Sequence, residues 1–293
     1  MAATAGHAPE SSLALRPRQS CPIFPANNPL NRDISHAPVD PNSASYVASI
    51  GAGGFLHPDF GTNPGYGIPY TVVGPQQRKV PIRFTAYGEE SDPGPYPVPA
   101  NAPVEGAGEA GDRHVLVLQE GSCRLYELFA AQRAGSGWEA ESGAVFNLRS
   151  NALRPNGWTS ADAAGLPIMP LLVRYDEVHA GHIDHALRMT VARTQKGFIH
   201  PATHYASNST DPSLPPMGLR LRLQASFDLS PYHGQALVVL KALKRYGLIV
   251  ADNGSNWYIT GAPDRRWNDE DLDQLKRIPG SAFQVVRTGP ILH

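Results

Sequence analysis

Basic runs are missing from this chain. No stretch of Lys and Arg exceeds a pair, and the formal net charge over 293 residues is -1. A nucleic-acid surface needs a basic stripe to meet phosphates, so nucleic acid is set aside as a partner. Charged residues make up 17% and hydrophobic ones 41%, the reverse of the composition that keeps a chain unfolded. No apolar run reaches the roughly 20 residues of a helical membrane span. The first twenty residues, "MAATAGHAPESSLALRPRQS", hold no apolar h-region, so no signal peptide is visible and residues 1–20 read as a disordered tail. Two readings stay open: a cytosolic protein, or an exported one in mature form. Also lacking are a Gly-x-Ser-x-Gly elbow, a Walker loop and a strand–GxGxxG–helix unit; "GAGGF" has no helix behind it to hold a phosphate. No cofactor is expected.

Cysteine is scarce too: only Cys21 and Cys123. A disulfide between them would pin the N-terminal arm to the strand-like "CRLYELF" and, by closing so long a loop, stabilise by roughly 4–5 kcal/mol in the chain-entropy picture. The alternative is two free buried thiols. A disulfide favours an oxidising, extracellular location. Two sequons, at Asn208 and Asn253, permit glycosylation.

What is plentiful is turn-forming residue: 28 glycines and 28 prolines. They crowd residues 51–111, where neither "GAGGFLHPDFGTNPGYGIP" nor "ESDPGPYPVPANAPVEGAGEAG" can propagate a helix. That region is expected to be long loops laid over a sheet. Strand signals come in "SYVASI", "IPYTVV", "KVPIRFTAY", "RHVLVLQ", "CRLYELFA", "AVFNLRS", "IMPLLVRYDEV", "HIDHALRMTV", "LRLRLQASF" and "SAFQVV". Glu120-Gly121-Ser122 reads as a hairpin turn, and "LIVADNGSNWYITG" as a hairpin turning at Asn253-Gly254. One helix is signposted by Ser230 as cap, Pro231 at its first position and Gly247 at its end; a shorter one follows Asn268. The fold expected is mainly β, a jelly-roll-like or two-layer β-sandwich over residues 21–293 as a single domain, with one or two short helices near the C-terminus.

"EVHAGHIDHALRMTVAR" places His179, His182 and His185 three apart. Ile183, His185, Leu187, Met189 and Val191 alternate with polar neighbours, which is the period of a strand. In a strand the outer two histidines stand roughly 20 Å apart, so they cannot share one zinc ion. His185 on the apolar face is either a satisfied core histidine or a polar group lining a cleft. Glu127 presents the same anomaly, sharing parity with Leu125 and Phe129. Buried carboxylates are normally paired, and a Glu and a His facing one cavity are the parts of a general acid/base pair; a purely structural ion pair is the competing reading. Asp162, near Trp158, offers a second carboxylate; Asp112 and His114 complete the acidic and imidazole candidates. His200 and His204 are expected in a loop, because Pro201 and the Ser/Thr/Asn run that follows disfavour a helix, and a metal pair recruiting His185 is the alternative. Trp138, Trp158, Trp257, Trp267, Tyr175 and Tyr258 are either core aromatics or flat platforms for sugar rings. "GAPDRRW" reads as an Asp–Arg turn packing Trp267 onto the fold.

"GDRHVLV", "CRLYELF", "GHIDHALRMTV", "LPPMGLRLRL" and "ADNGSNWYITGAPDRRW" together resemble an uncharacterised family of exported microbial β-sandwich proteins. The resemblance implies export and a polysaccharide-related role; it carries no catalytic residue across. The reading drawn is a secreted carbohydrate-active enzyme acting on a polysaccharide or cell-wall glycan, by hydrolase-like acid/base chemistry or elimination. Glu127, His185 and Asp162 are its candidate catalytic residues, and Trp158, Tyr175, Arg188 and His204 its substrate contacts. The second reading is a glycan- or wall-binding module without catalysis.

Overall fold

The structure, a computed structural model, describes residues 21–108 and 111–293. The expected tail at 1–20 lies outside the described residues. Thirteen strands form three sheets among them. The largest has the order His57–Asp59 (β1), Tyr258–Thr260 (β12), Leu187–Val191 (β9), Leu248–Asn253 (β11), Arg220–Leu223 (β10) and Phe283–Val286 (β13). A second has Tyr70–Val73 (β2), Val115–Gln119 (β4), Arg124–Phe129 (β5) and Ser142–Asn147 (β8). The third has Ile82–Phe84 (β3), Gly137–Ala140 (β7) and Gln132–Ala134 (β6). The fold is thus β-rich. The parallel pairings β1–β12, β9–β11, β2–β4 and β3–β7 set it apart from an all-antiparallel jelly roll.

Alternation along β4 shows how the sheets are buried. Leu116 and Leu118 enter one hydrophobic cluster, shared with the six-stranded sheet, while Val115 and Val117 enter another with Tyr96, Trp138 and Ala140. The four-stranded sheet is therefore covered on both faces, which is why "VLVL" reads as a continuous apolar run. The expected hairpin at Glu120–Ser122 joins antiparallel β4 and β5.

Helices account for the departures from expectation. "SYVASI" lies in a helix, Ser43–Ile50 (α1), whose buried Ser43, Tyr46, Val47 and Ile50 follow the i, i+3, i+4, i+7 rule, and Gly51 ends it at φ 103°. "IMPLLVRYDEV" is a 3-10 turn at Met169–Leu171 followed by the helix Tyr175–Ala180 (α2), closed by Gly181 at φ 89°. The strand expected from Ile183 begins only at Leu187, so His185 precedes β9 instead of lying in it. Short helices are therefore not confined to the C-terminal region.

There, Gly234–Arg245 (α3) starts later than Pro231: Ser230 is engaged by Asp228, and Asp271 accepts the Gln235 N–H at 3.0 Å instead. Asn268 caps Asp269–Asp273 (α4) as expected, accepting from Glu270 and Asp271. The supposed hairpin at Asn253-Gly254 is not one, because β9 lies between β11 and β12. Trp267 is buried, with Nε1 donating to Ala262 O at 2.9 Å beside the Asp264–Arg266 pair, so "GAPDRRW" is the packing turn its sequence implied. Cys21 and Cys123 form a disulfide with their Cα atoms 5.4 Å apart. Among the described residues no helix is long and apolar enough to cross a membrane.

Candidate functional site

A break in the sheet builds the centre of the site. Ile249 pairs with Arg188, so a regular ladder would set Ala251 opposite Thr190; a bulge after Val250 puts Asp252 there instead. Asp252 thereby joins the face of β9 that carries Arg188, the usual use of a bulge being to re-aim a side chain. Thr260, on the other flank of β9, accepts from Arg188 Nη1 at 2.8 Å.

The fourth partner comes from the loop between β8 and α2. Ser160 Oγ accepts the Asp162 N–H at 2.9 Å and reaches Leu166 O at 2.6 Å, turning the chain tightly. Gly165, at φ 71°, closes the turn where a Cβ would stand 2.1 Å from Thr203 Oγ1. Ala164 N–H then bonds Ala251 O, tying the loop to β11. Asp162 is delivered to Arg188 in a two-pronged pair, Oδ2 to Nε and Oδ1 to Nη2, both at 2.8 Å. Asp252 Oδ2 meets the same Nη2 at 3.0 Å. Two expected residues, Asp162 and Arg188, are thus brought together, although the carboxylate side chain is 0% exposed.

Charges cluster around this pair: Glu105, His114 and Glu127 are electrostatically linked to Asp162, Asp252 and Arg188. His114, wholly buried, would be driven neutral by burial, but Glu105 at 2.6 Å outweighs that and keeps it protonated up to about 9. Its other nitrogen contacts Ala161 O at 2.9 Å. Glu127 is pushed up to about 7 by burial, against the bonds it accepts from the Ile168 and Met169 N–H groups. Asp252 is raised by burial and by the Asp162 charge, despite Arg188. Glu105 and Asp162 stand in direct ionic contact with His114 and Arg188, while burial raises the affinity of Glu127 and Asp252 for a proton. Glu105, Asp112 and His114 bring ligand atoms within 4.8 Å of one another. Glu105 and His114 meet each other directly, Nδ1 to Oε2 at 2.6 Å.

Against this cluster opens a cleft of about 320 Å³. Asp252, Asn253, His204, Ala206, Tyr87, Phe129 and Asp162 are among the residues that line it. His204 Nδ1 lies 2.7 Å from Ala163 O; donating there leaves Nε2 as the acceptor, with Glu90 4.0 Å away.

The other expected residues lie elsewhere. Glu127 faces inward as its parity implied and is fully buried, spending its carboxylate on the backbone of the Met169–Leu171 turn. His185 makes a separate group: Nδ1 to Ala186 O at 2.7 Å, Nε2 near Arg174 at 3.1 Å and Glu177 at 3.2 Å. No hydrogen bond joins it to Glu127 among the described residues. His179, in α2, and His182, beyond it, do not converge with it on a metal-sized centre. Tyr175 is packed between the Arg266 guanidinium, 4.1 Å from its ring centre, and Trp267. Trp158 lies half-buried under Arg154. Trp138, Trp257 and Trp267 are core residues. Asp252 and Glu105 went unnoticed in the sequence. Asp252 followed an apolar strand and offered a signal; Glu105 sat in the Gly/Pro region and offered none.

No protein-family model, curated protein or solved structure matches this chain.

Proposed function

We propose that the chain is an exported carbohydrate-active enzyme whose cleft cleaves a glycan by acid/base chemistry. The observation that carries this reading is that one cleft is lined both by Asp252, whose affinity for a proton is raised by burial and by the Asp162 charge, and by the His204 imidazole, whose Nδ1 contacts Ala163 O. Asp252 gives its proton to the departing glycosidic oxygen. His204 Nε2 takes one from the water whose oxygen bonds to the anomeric carbon as the old bond breaks. Asp162 and Arg188 act as positioning residues that hold Asp252. Tyr87 and Phe129, which line the cleft, would offer aromatic surface to a sugar, while the Asn253 amide is held by Val191 O and Thr194. The disulfide supports an extracellular setting. Residues 21–293 are proposed to act as one unit. Glu127 is reassigned from catalysis to holding the loop that presents Asp162.

The test incubates the full chain with a polysaccharide panel and follows both new reducing ends and the ultraviolet absorbance of unsaturated uronates. Wild type is expected to release product, with a loss of about 100-fold or more in Asp252→Asn and in His204→Gln, and a much smaller change in Glu127→Gln. Unsaturated ends would replace hydrolysis by elimination. Folded protein that yields no product from any polymer sinks the enzyme reading; its depletion by insoluble glycan would then establish the binding-module alternative.

A further inference from the structure

A separate cavity of about 410 Å³ shares no lining residue with the cleft. Its walls include Ile34, Leu153 and Pro201, and its polar groups include Arg32, Arg220 and Thr288. Arg220, on β10, is 2% exposed. Nη1 donates to Pro29 O at 3.0 Å and Nη2 to Tyr246 O, while Nε has no partner. The Thr288 hydroxyl also has none. Among the described residues only three buried side-chain polar atoms lack a hydrogen bond, and two of them, Arg220 Nε and Thr288 Oγ1, belong to residues that line this cavity. Buried polar groups are normally satisfied, so this coincidence calls for a missing partner.

Charge points the same way. The buried guanidinium groups of Arg154, Arg174 and Arg188 each meet a carboxylate, Asp92, Glu177 and Asp162, while buried Arg222 is paired instead with Ile34 O and the Gln284 amide. Neither Arg220 nor the exposed Arg32 has an acidic partner among the described residues. Burial and the neighbouring Arg32 cation push Arg220 down only to about 10, so it keeps its charge at neutral pH. A buried cation without an acidic partner, lining a cavity together with a second, exposed cation, is an arrangement expected of an anion site.

We infer that this cavity binds a small organic oxyanion, with the anionic group balancing Arg220 and pairing with Arg32 and the Thr288 hydroxyl while its apolar body rests against Ile34, Leu153 and Pro201. The anionic group is a carboxylate, as in a sugar acid, or a phosphate or sulfate ester. This site is independent of the proposed catalytic cleft.

The experiment titrates the full chain with sodium glucuronate, sodium phosphate and sodium sulfate, reading heat of binding and melting temperature against sodium chloride at matched ionic strength. Wild type is expected to bind at least one of the three and to melt higher in it. A stronger response to glucuronate assigns the carboxylate; a stronger response to phosphate or sulfate assigns the ester. Arg32→Gln should weaken binding about tenfold, Thr288→Val should weaken it, and Arg220→Met should abolish it, while Asp252→Asn binds as wild type does. Should Arg220→Met fail to fold, the Arg32 and Thr288 variants carry the test. No response beyond that to chloride in wild type, or an unchanged response in both Arg32→Gln and Thr288→Val, overturns the site and leaves Arg220 as a strap between two backbone carbonyls.

Discussion

Asp162 and Arg188 illustrate how much a single buried pair decides. Removing the charge of Asp162 leaves Asp252, whose ionisation burial disfavours, as the carboxylate in direct contact with Arg188. Asp162→Asn is expected to lose about 3–5 kcal/mol in a urea titration, whereas Asp162→Leu combined with Arg188→Met should recover most of that, because an apolar pair leaves no charge stranded. His114 gives a pH signature at the same scale. Its folded value is raised from 6.5 to about 9, so the stability it contributes is complete below about pH 6.5 and is lost as pH rises through 9. Glu127 has the same sign over a lower window, from its ordinary 4.5 to about 7. Thermal melts from pH 4.5 to 9 should therefore decline with rising pH, and His114→Gln should flatten the upper part of the curve while Glu127→Gln flattens the lower. A wild-type curve that rises steadily to pH 9 would refute the assignment. The inward direction of Glu127 was legible from its parity with Leu125. Its partner was not, because Ile168 and Met169 reach it from a turn that follows no strand or helix period.

At the scale of elements, α3 and α4 stabilise each other through a cap that neither carries alone. The Asp271 carboxylate accepts the Gln235 N–H, and Gly234, at φ 56°, permits the approach, since a Cβ there would stand 1.9 Å from Asp271 Oδ2. Asp271→Ala is expected to cost about 1 kcal/mol, measured by denaturant midpoint. Gly234→Ala should cost more, combining the clash with an unfavourable positive φ. Sequence reading found both helices from their apolar spacing and from Asn268, yet chose Ser230 as the cap, since a cap supplied from about forty residues downstream leaves no local trace. The misreadings of α1 and α2 have a related cause. "SYVASI" and "IMPLLVRYDEV" carry Tyr, Val and Ile, which favour strands, and the helical stretches within them span two turns or fewer, a length at which both periods fit. Burial of Tyr46, Val47 and Ile50 against the core then selected the helix.

For the whole molecule, the disulfide ties the arm that begins at residue 21 to the start of β5, so its removal acts on the entire chain. Reduction, or Cys21→Ser with Cys123→Ser, is expected to destabilise by about 2–5 kcal/mol, read as a lowered melting temperature relative to the oxidised protein. An unchanged melting temperature would show that the arm contributes nothing to the folded state. Sequence alone determined that the protein is β-rich, that a β4–β5 hairpin turns at Glu120–Ser122, that Glu127 points inward and that Asn268 begins a helix. Each of these rests on local periodicity or on backbone chemistry within a few residues. Tertiary structure alone decided that β9 separates β11 from β12, that the bulge after Val250 turns Asp252 onto the face of Arg188, and that Asp162 and His204 reach the same cleft from different loops. Those outcomes depend on strand order, register and buried charge balance among residues up to about ninety positions apart, and no local pattern encodes which distant strand supplies the neighbour or which distant carboxylate neutralises the cation.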